Sequence, residues 1–308
     1  METSQLLSEI QEEIGSDELL KTATRSQQPV SYNFIDLPLT RLHYIKYGEG
    51  PPLVMVPASI SEINNWIPLV HFMGQRYTVH FFELPGHGQS TKFNQHFRSE
   101  LVAQTVEDFI NALGFESITL MGFSFGGVLS MKTLYHLQER VNEIILVSPS
   151  TTHRALPFSP IRKFLLRCLA RTLKIPVISK ILIYAIKSKP LGVIITNFFK
   201  KSAMLEDHIS IERRIKEVKP STLEVLIHQM NEVIYLDLPI PKIKFKQPCY
   251  FAMSIYDPLL AFSETLDVLN DQFEQVFVQK MYFSYHQPKV VPPVEEFNQI
   301  LGKFLNMV

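Results

Sequence analysis

Apolar residues along this chain alternate between two rhythms. Continuous apolar runs of strand length occur at 41–48 (RLHYIKYG), 52–57 (PLVMVP), 77–85 (YTVHFFELP), 117–124 (SITLMGFS), 143–150 (EIILVSPS), 248–257 (PCYFAMSIYD) and 274–283 (EQVFVQKMYF). Most of these runs have no water-facing side, so they read as strands of a sheet covered on both faces. Between them, apolar positions recur every three or four residues at 62–75, around the only tryptophan, Trp66, and at 99–114, 126–140, 262–273 and 293–305. That is the spacing of amphipathic helices. Strand alternating with helix predicts an α/β chain with a mainly parallel sheet and helices on both faces.

The alternation breaks once, between the strand ending at Ser150 and the one beginning near Gln247. Residues 151–205 read as helices broken at Pro157, Pro160, Pro176 and Pro190. The expected organisation is a core made of 31–150 and 246–308, a helical cap over 151–245, and an N-terminal helix and linker over 1–30. At 308 residues, 46% of them apolar and 11% aromatic, the chain can bury an extensive core, which excludes a disordered protein. Cys168 and Cys249 lie far apart in apolar surroundings and read as small buried hydrophobes. There is no Walker-type or dinucleotide glycine loop and no His/Cys/Asp cluster at metal-ligand spacing, so neither cofactor nor metal is expected. The acidic, amphipathic start lacks a basic segment followed by an apolar run, and a cytoplasmic setting is expected.

One short stretch carries chemistry. The apolar strand 117–121 runs into Gly122-Phe123-Ser124-Phe125-Gly126 and then directly into a helix. A G-x-S-x-G pentapeptide alone is weak, and its bland reading is a glycine turn with an incidental serine. In a strand, turn and helix setting it is a nucleophile elbow, which holds a serine hydroxyl clear of the backbone beside the N–H groups of a helix start.

With the loop LPGHGQS (84–90) after its own strand, these features resemble the α/β-hydrolase superfamily, specifically its capped serine hydrolases of the esterase and lipase kind, over about residues 40–150 and 245–308. The resemblance implies an α/β-hydrolase fold with an inserted helical lid. It also implies a triad in the chain order Ser, acid, His: Ser124 as nucleophile, Asp257 as the acid before Pro258 at a strand end, and His286 as the base between the last strand and the last helix. Oxyanion N–H groups would come from Ser59 and Phe125. The other histidines (His43, His71, His80, His87, His96, His136, His153, His208 and His228) fall inside expected strands, helices, loops or the cap and read as structural. This chain departs from the family pattern twice. Pro57-Ala58-Ser59 stands where His-Gly is common, and Tyr285 stands where glycine often precedes the histidine. Serine rather than aspartate at the elbow argues against the dehalogenase and epoxide-hydrolase branches.

The activity implied is cleavage of a carboxylic ester of an apolar, acyl-chain-bearing substrate through an acyl-enzyme on Ser124, a role in lipid metabolism. An acyl thioesterase or acyltransferase using a CoA- or carrier-protein-linked acyl group keeps the same triad. A catalytically idle fold used as a binding protein is the reading from another class.

Charge changes the picture of the cap. The chain balances 30 basic against 30 acidic residues, yet 151–205 holds eleven of the basic ones and none of the acidic, leaving the rest at net −11. Three uses of this segment stay open. It is a cover whose charges are simply solvated, a peripheral membrane contact attracted by anionic lipid, or a seat for an acidic carrier protein. Lys180, Lys187, Lys189 and Pro190 interrupt its longest apolar stretch, 176–199, so no membrane-spanning helix is expected. Its basic residues alternate with Leu and Ile without an aromatic stacking platform, so no nucleic acid partner is expected.

Overall fold

The computed structural model describes residues 29–59, 62–186, 219–288 and 291–307. The expected N-terminal helix and the part of the cap containing Pro190 lie outside them. The apolar runs become β2 (Arg41–Tyr47), β3 (Pro52–Val56), β4 (Thr78–Phe82), β5 (Ile118–Phe123), β6 (Val141–Val147), β7 (Cys249–Ser254) and β8 (Val276–Met281), preceded by β1 (Ser31–Asp36). They form one eight-stranded sheet in the order β1-β2-β4-β3-β5-β6-β7-β8. β1 pairs antiparallel with β2, and β2 antiparallel with β4; every other neighbour is parallel.

The strands are apolar throughout because alternate side chains enter two different cores. Val54 and Val56 of β3 join Phe109, Val128 and Leu269 on the face covered by α2 (Ser99–Ala112), α3 (Phe125–Leu137) and α7 (Phe262–Gln272). Their neighbours Leu53 and Met55 join Leu69, Phe72 and Phe297 on the face covered by α1 (Ile67–Met73) and α8 (Val294–Phe297).

β1 is a strand the apolar rhythm does not predict. It sits at the sheet edge, and its aromatic residues Tyr32 and Phe34 stay exposed, spread over the His43 ring, with the Arg41 guanidinium 4.5 Å from the Phe34 ring. An edge strand that buries so little leaves no continuous apolar run to read.

Between β6 and β7 the described α-helices are α4 (Pro160–Leu173), α5 (Pro176–Ile186) and α6 (Pro220–Tyr235). Pro160 and Pro176 start helices rather than break them, since a first-turn residue has no carbonyl to donate to and proline's fixed φ already suits a helix. Ser159 completes the start of α4 by accepting from the Arg162 N–H at 3.3 Å. Leu173, Ile183 and Ile227 pack one residue from each helix into a small core. Cys168 corrects the sequence reading: it is exposed, because it lies on the outward stripe of α4, while Cys249 is buried as expected.

The helical segment between β6 and β7 is tied to the rest of the fold by several contacts. The hydroxyls of Ser221 and Thr222, at the start of α6, both donate to the Gly86 carbonyl, at 3.1 and 2.9 Å. Near its other end Glu232 accepts from the Ser99 backbone N–H at 2.9 Å and from the Ser99 hydroxyl. Within the segment itself, Thr152 forms an antiparallel bridge with Asp237 and so joins its two ends. The Gly86 loop is itself held from below by buried Glu83, whose carboxylate accepts from Gln89 N–H at 2.5 Å and meets His43 Nδ1 at 3.0 Å.

His80, in the middle of β4, is buried among Tyr44, Phe109 and Phe115, and burial pushes its pKa down to about 4. His87 is held down to about 4 in the same way. Unfolded histidine titrates near 6.5, so between about 4 and 6.5 the unfolded chain takes up protons that the folded chain refuses. Stability is therefore complete above about pH 6.5 and falls as the pH drops through that window, by about 3 kcal/mol per ring at its acid end. Urea denaturation at pH 7 and pH 5 measures this. The His80→Leu variant is expected to show a smaller fall, and an unchanged pH dependence in that variant would refute the assignment.

Candidate functional site

β5 carries the chain to Ser124 in a conformation that an L-residue rarely adopts, φ 48° and ψ −116°. Such strain costs about 1–3 kcal/mol and has to be imposed by its surroundings. Three backbone hydrogen bonds do so: Ser124 N–H donates to Val147 C=O at 3.1 Å, and Ser124 C=O accepts from Gly127 N–H at 3.0 Å and Ser150 N–H at 2.9 Å. The flanking glycines allow the necessary approach. A Cβ on Gly122 would lie 2.4 Å from the Gly126 carbonyl oxygen, one on Gly126 would lie 2.3 Å from that of Val56, and one on Gly127 would meet Pro149 at 2.4 Å. The Ser124 side chain, half-buried, is thereby lifted off the end of the sheet at the start of α3.

Two more loops at the same sheet edge meet it. Asp257 follows β7, and its side chain is almost wholly buried. Its Oδ1 accepts from the N–H groups of Leu259 at 2.8 Å and Leu260 at 3.0 Å, which aims Oδ2 at His286 Nδ1, 2.7 Å away. His286 lies in the segment after β8, and its Nε2 is 2.9 Å from Ser124 Oγ. The Ser254 hydroxyl donates to Phe283 C=O at 2.5 Å and ties the aspartate loop to the histidine loop. A carboxylate at Nδ1 favours the tautomer with its proton there, which leaves the Nε2 lone pair facing the serine hydroxyl. The arrangement can draw a proton from Ser124 as its oxygen attacks a carbon, and the imidazolium so formed has a carboxylate beside it.

Phe125 is the first residue of α3, so its N–H has no carbonyl within the helix to bond. Ser59 lies in the turn after β3, and the contact of Gly126 with Val56 and Pro57 brings that turn beside the elbow. Tyr285 stacks on Phe283, ring centres 5.2 Å apart.

The other histidines are spread through the fold, apart from His208, which lies outside the described residues. His43 is committed to Glu83, and His71 packs on the Tyr47 ring at 4.6 Å. One grouping escapes the sequence reading. His96, in the loop before α2, meets Glu224 and His228 of α6, their ligand atoms all within 4.8 Å of one another. Among the described residues this is the set with metal-ligand chemistry, and Lys92 engages Glu224 at 3.5 Å. The i, i+4 spacing of Glu224 and His228 is legible, but the distant His96 is not. A cavity of about 440 Å³ beside these residues has none of Ser124, Asp257 or His286 in its lining.

Comparison with known proteins gives the same architecture. Residues 51–171 match the family described as alpha/beta hydrolase fold. An uncharacterized protein of Mycobacterium tuberculosis is 31% identical over 101 residues, 33% of this chain and 30% of that protein. A pimeloyl-[acyl-carrier protein] methyl ester esterase of Aliivibrio salmonicida is 29% identical over 111 residues, 36% of this chain and 41% of the esterase. These alignments therefore span less than half of either relative. The solved structure of a putative lipase from Acinetobacter baumannii superposes with a TM-score of 0.69 at 13% identity, covering 94% of this chain and 95% of that one. With its mostly parallel sheet and strand-elbow-helix crossing, the chain has the α/β-hydrolase fold, and its residues 51–171 carry the sequence pattern of that family.

The elbow geometry makes a sharp prediction. In Gly126→Ala the new methyl meets backbone oxygens of Val56 and Pro57, which cannot swing aside as a side chain would. A loss of about 1–3 kcal/mol is expected, read as a lowered midpoint in urea. A variant as stable as the parent would show that the contact yields freely.

Proposed function

We propose that the protein is a serine hydrolase that cleaves carboxylic esters of apolar, acyl-chain-bearing substrates. The observation that carries this reading is the pair of contacts through one imidazole, 2.9 Å to Ser124 Oγ and 2.7 Å to Asp257 Oδ2. Ser124 Oγ attacks the ester carbonyl carbon while His286 Nε2 takes its proton, and Asp257 stabilises the imidazolium. The carbonyl electron pair moves to oxygen, where the N–H groups of Phe125 and Ser59 receive it. Collapse of this intermediate breaks the bond to the alcohol, which leaves with the proton from His286. Water, deprotonated by the same nitrogen, then releases the acid and restores Ser124. A serine at the elbow suits this acyl chemistry rather than the carboxylate attack used on epoxides and haloalkanes.

Ser124→Ala is expected to abolish labelling by a fluorophosphonate, detected by intact mass. His286→Ala is expected to lower kcat on a short ester by about three orders of magnitude or more, since triad members act as a unit. Full esterase activity in Ser124→Ala would remove the mechanism, whereas a parent chain with neither esterase activity nor labelling would leave the binding-protein reading.

A thioester reading keeps the same residues, with a CoA- or carrier-linked acyl group as substrate. Its support is the basic cap, whose residues 151–205 hold no carboxylate, together with the acyl-carrier-linked ester named for the Aliivibrio relative. An acidic carrier substrate would be turned over far more slowly as salt rises from about 0.05 to 0.5 M, while a small neutral ester would scarcely respond. Equal salt dependence for the two would eliminate the carrier.

A further inference from the structure

The two first helices of the cap present to solvent the kind of surface a folded protein usually hides. Along α4 the outward positions are Ile161, Phe164, Leu165, Cys168, Leu169 and Thr172, a single helical stripe. The opposite side, through Ala170 and Leu173, packs on α6, where Asn231 also donates to the Ala170 carbonyl at 2.9 Å. The stripe continues through Ile175 into Val177, Ile181 and Tyr184 of α5, while Ile183 turns inward. Ile161, Phe164, Leu165, Leu169, Ile175, Val177, Ile181 and Tyr184 are between 47% and 81% exposed, so the inward face alone meets the needs of packing. Scattered exposed apolar residues need no explanation, but eight of them on two consecutive helices and their connection do.

Its flanks say what it meets. Arg162, Lys163, Arg167, Arg171, Lys174 and Lys180 lie on the same two helices and their connection, and 151–205 contains no aspartate or glutamate. Arg167 and Arg171 lean over the Tyr235 ring of α6 at 5.3 and 5.8 Å, while Arg162, Lys174 and Lys180 are exposed on α4, α5 and their connection. An apolar stripe edged by cations with no anion among them is complementary to a surface that is anionic outside and hydrocarbon inside. Among the described residues no helix is long and apolar enough to cross a membrane, so the fitting geometry is helices lying in the plane of the interface.

We propose that α4 and α5 form an interfacial docking face for an anionic lipid bilayer, with the apolar stripe entering the headgroup boundary and the basic residues resting on the phosphates. This assignment stands apart from the chemistry at Ser124, which it neither requires nor supports.

Flotation with the full chain tests it, using vesicles of phosphatidylcholine alone and of phosphatidylcholine containing about one-third phosphatidylglycerol at low salt. Binding at least tenfold stronger to the anionic vesicles is expected, falling as salt is raised to about 0.5 M. Each basic residue at an anionic leaflet is worth about a fivefold change in partitioning, so Arg162→Glu, Lys174→Glu and Lys180→Glu together are expected to weaken it by about a hundredfold or more. Phe164→Ser with Ile181→Ser is expected to weaken binding at least tenfold with every charge retained. All five positions are exposed, and thermal melts and turnover of a short soluble ester should match the parent. Ser124→Ala should float like the parent, so failure of the hydrolase reading and failure of this one give different results. Absence of the intact chain from anionic vesicles overturns the proposal, as does equal binding to both compositions, or binding unaffected by the serine substitutions. Capture of an acidic acyl carrier protein without any capture of vesicles overturns it in favour of a protein partner.

Discussion

The architecture turns on the left-handed residue at position 124. A chain leaving a buried parallel strand must reverse into a helix within one residue, and the conformation that allows this is unfavourable for serine. It persists because β3, β6 and the start of α3 all close on the same few backbone atoms, and because Gly122, Gly126 and Gly127 carry no side chains to hold them apart. The central strands are therefore locked together at the edge where the functional groups gather. A hydroxyl presented this way needs no rearrangement to meet a ring nitrogen coming from the next loops.

The cap depends on a second, quieter constraint. Glu83 is buried beneath the 84–90 loop and gathers His43 from β2 and the Gln89 amide. Gly88, at φ 48°, passes so close to this carboxylate that a Cβ there would lie 2.0 Å from its carbon. The loop so shaped turns the Gly86 carbonyl toward the two hydroxyls that begin α6. A single buried acid thus fixes the edge of the sheet and the seat of the cap together, which explains why a glycine-rich loop outside the serine elbow is part of the same design.

What could be read from the chain followed the strength of the physical signal. Buried parallel strands announce themselves as unbroken apolar runs, and strand ends are where an α/β sheet gathers its chemistry. The resemblance to capped serine hydrolases then pointed to Ser124, Asp257 and His286 in three distant stretches that the fold brings within hydrogen-bond reach. β1 could not be read, because an exposed edge strand buries too little to leave a pattern. Cys168 was misread since a residue flanked by leucines looks buried, whereas on α4 those leucines themselves point outward. The Glu83 pair and the meeting of His96 with α6 are contacts between segments far apart in sequence, and no local spacing encodes them.

The separation of the three central residues has a consequence for how the molecule comes into being. Ser124 and His286 are 162 positions apart, and the segment between them includes the whole cap. Contacts that close such long loops are made late and lose the most chain entropy in forming. The elbow's own backbone partners all lie in α3 or in and just after β3 and β6, whereas its side-chain partners come from the two loops after the cap. A chain cut before the last loops would lack Asp257 and His286, so its serine would have no base to assist it.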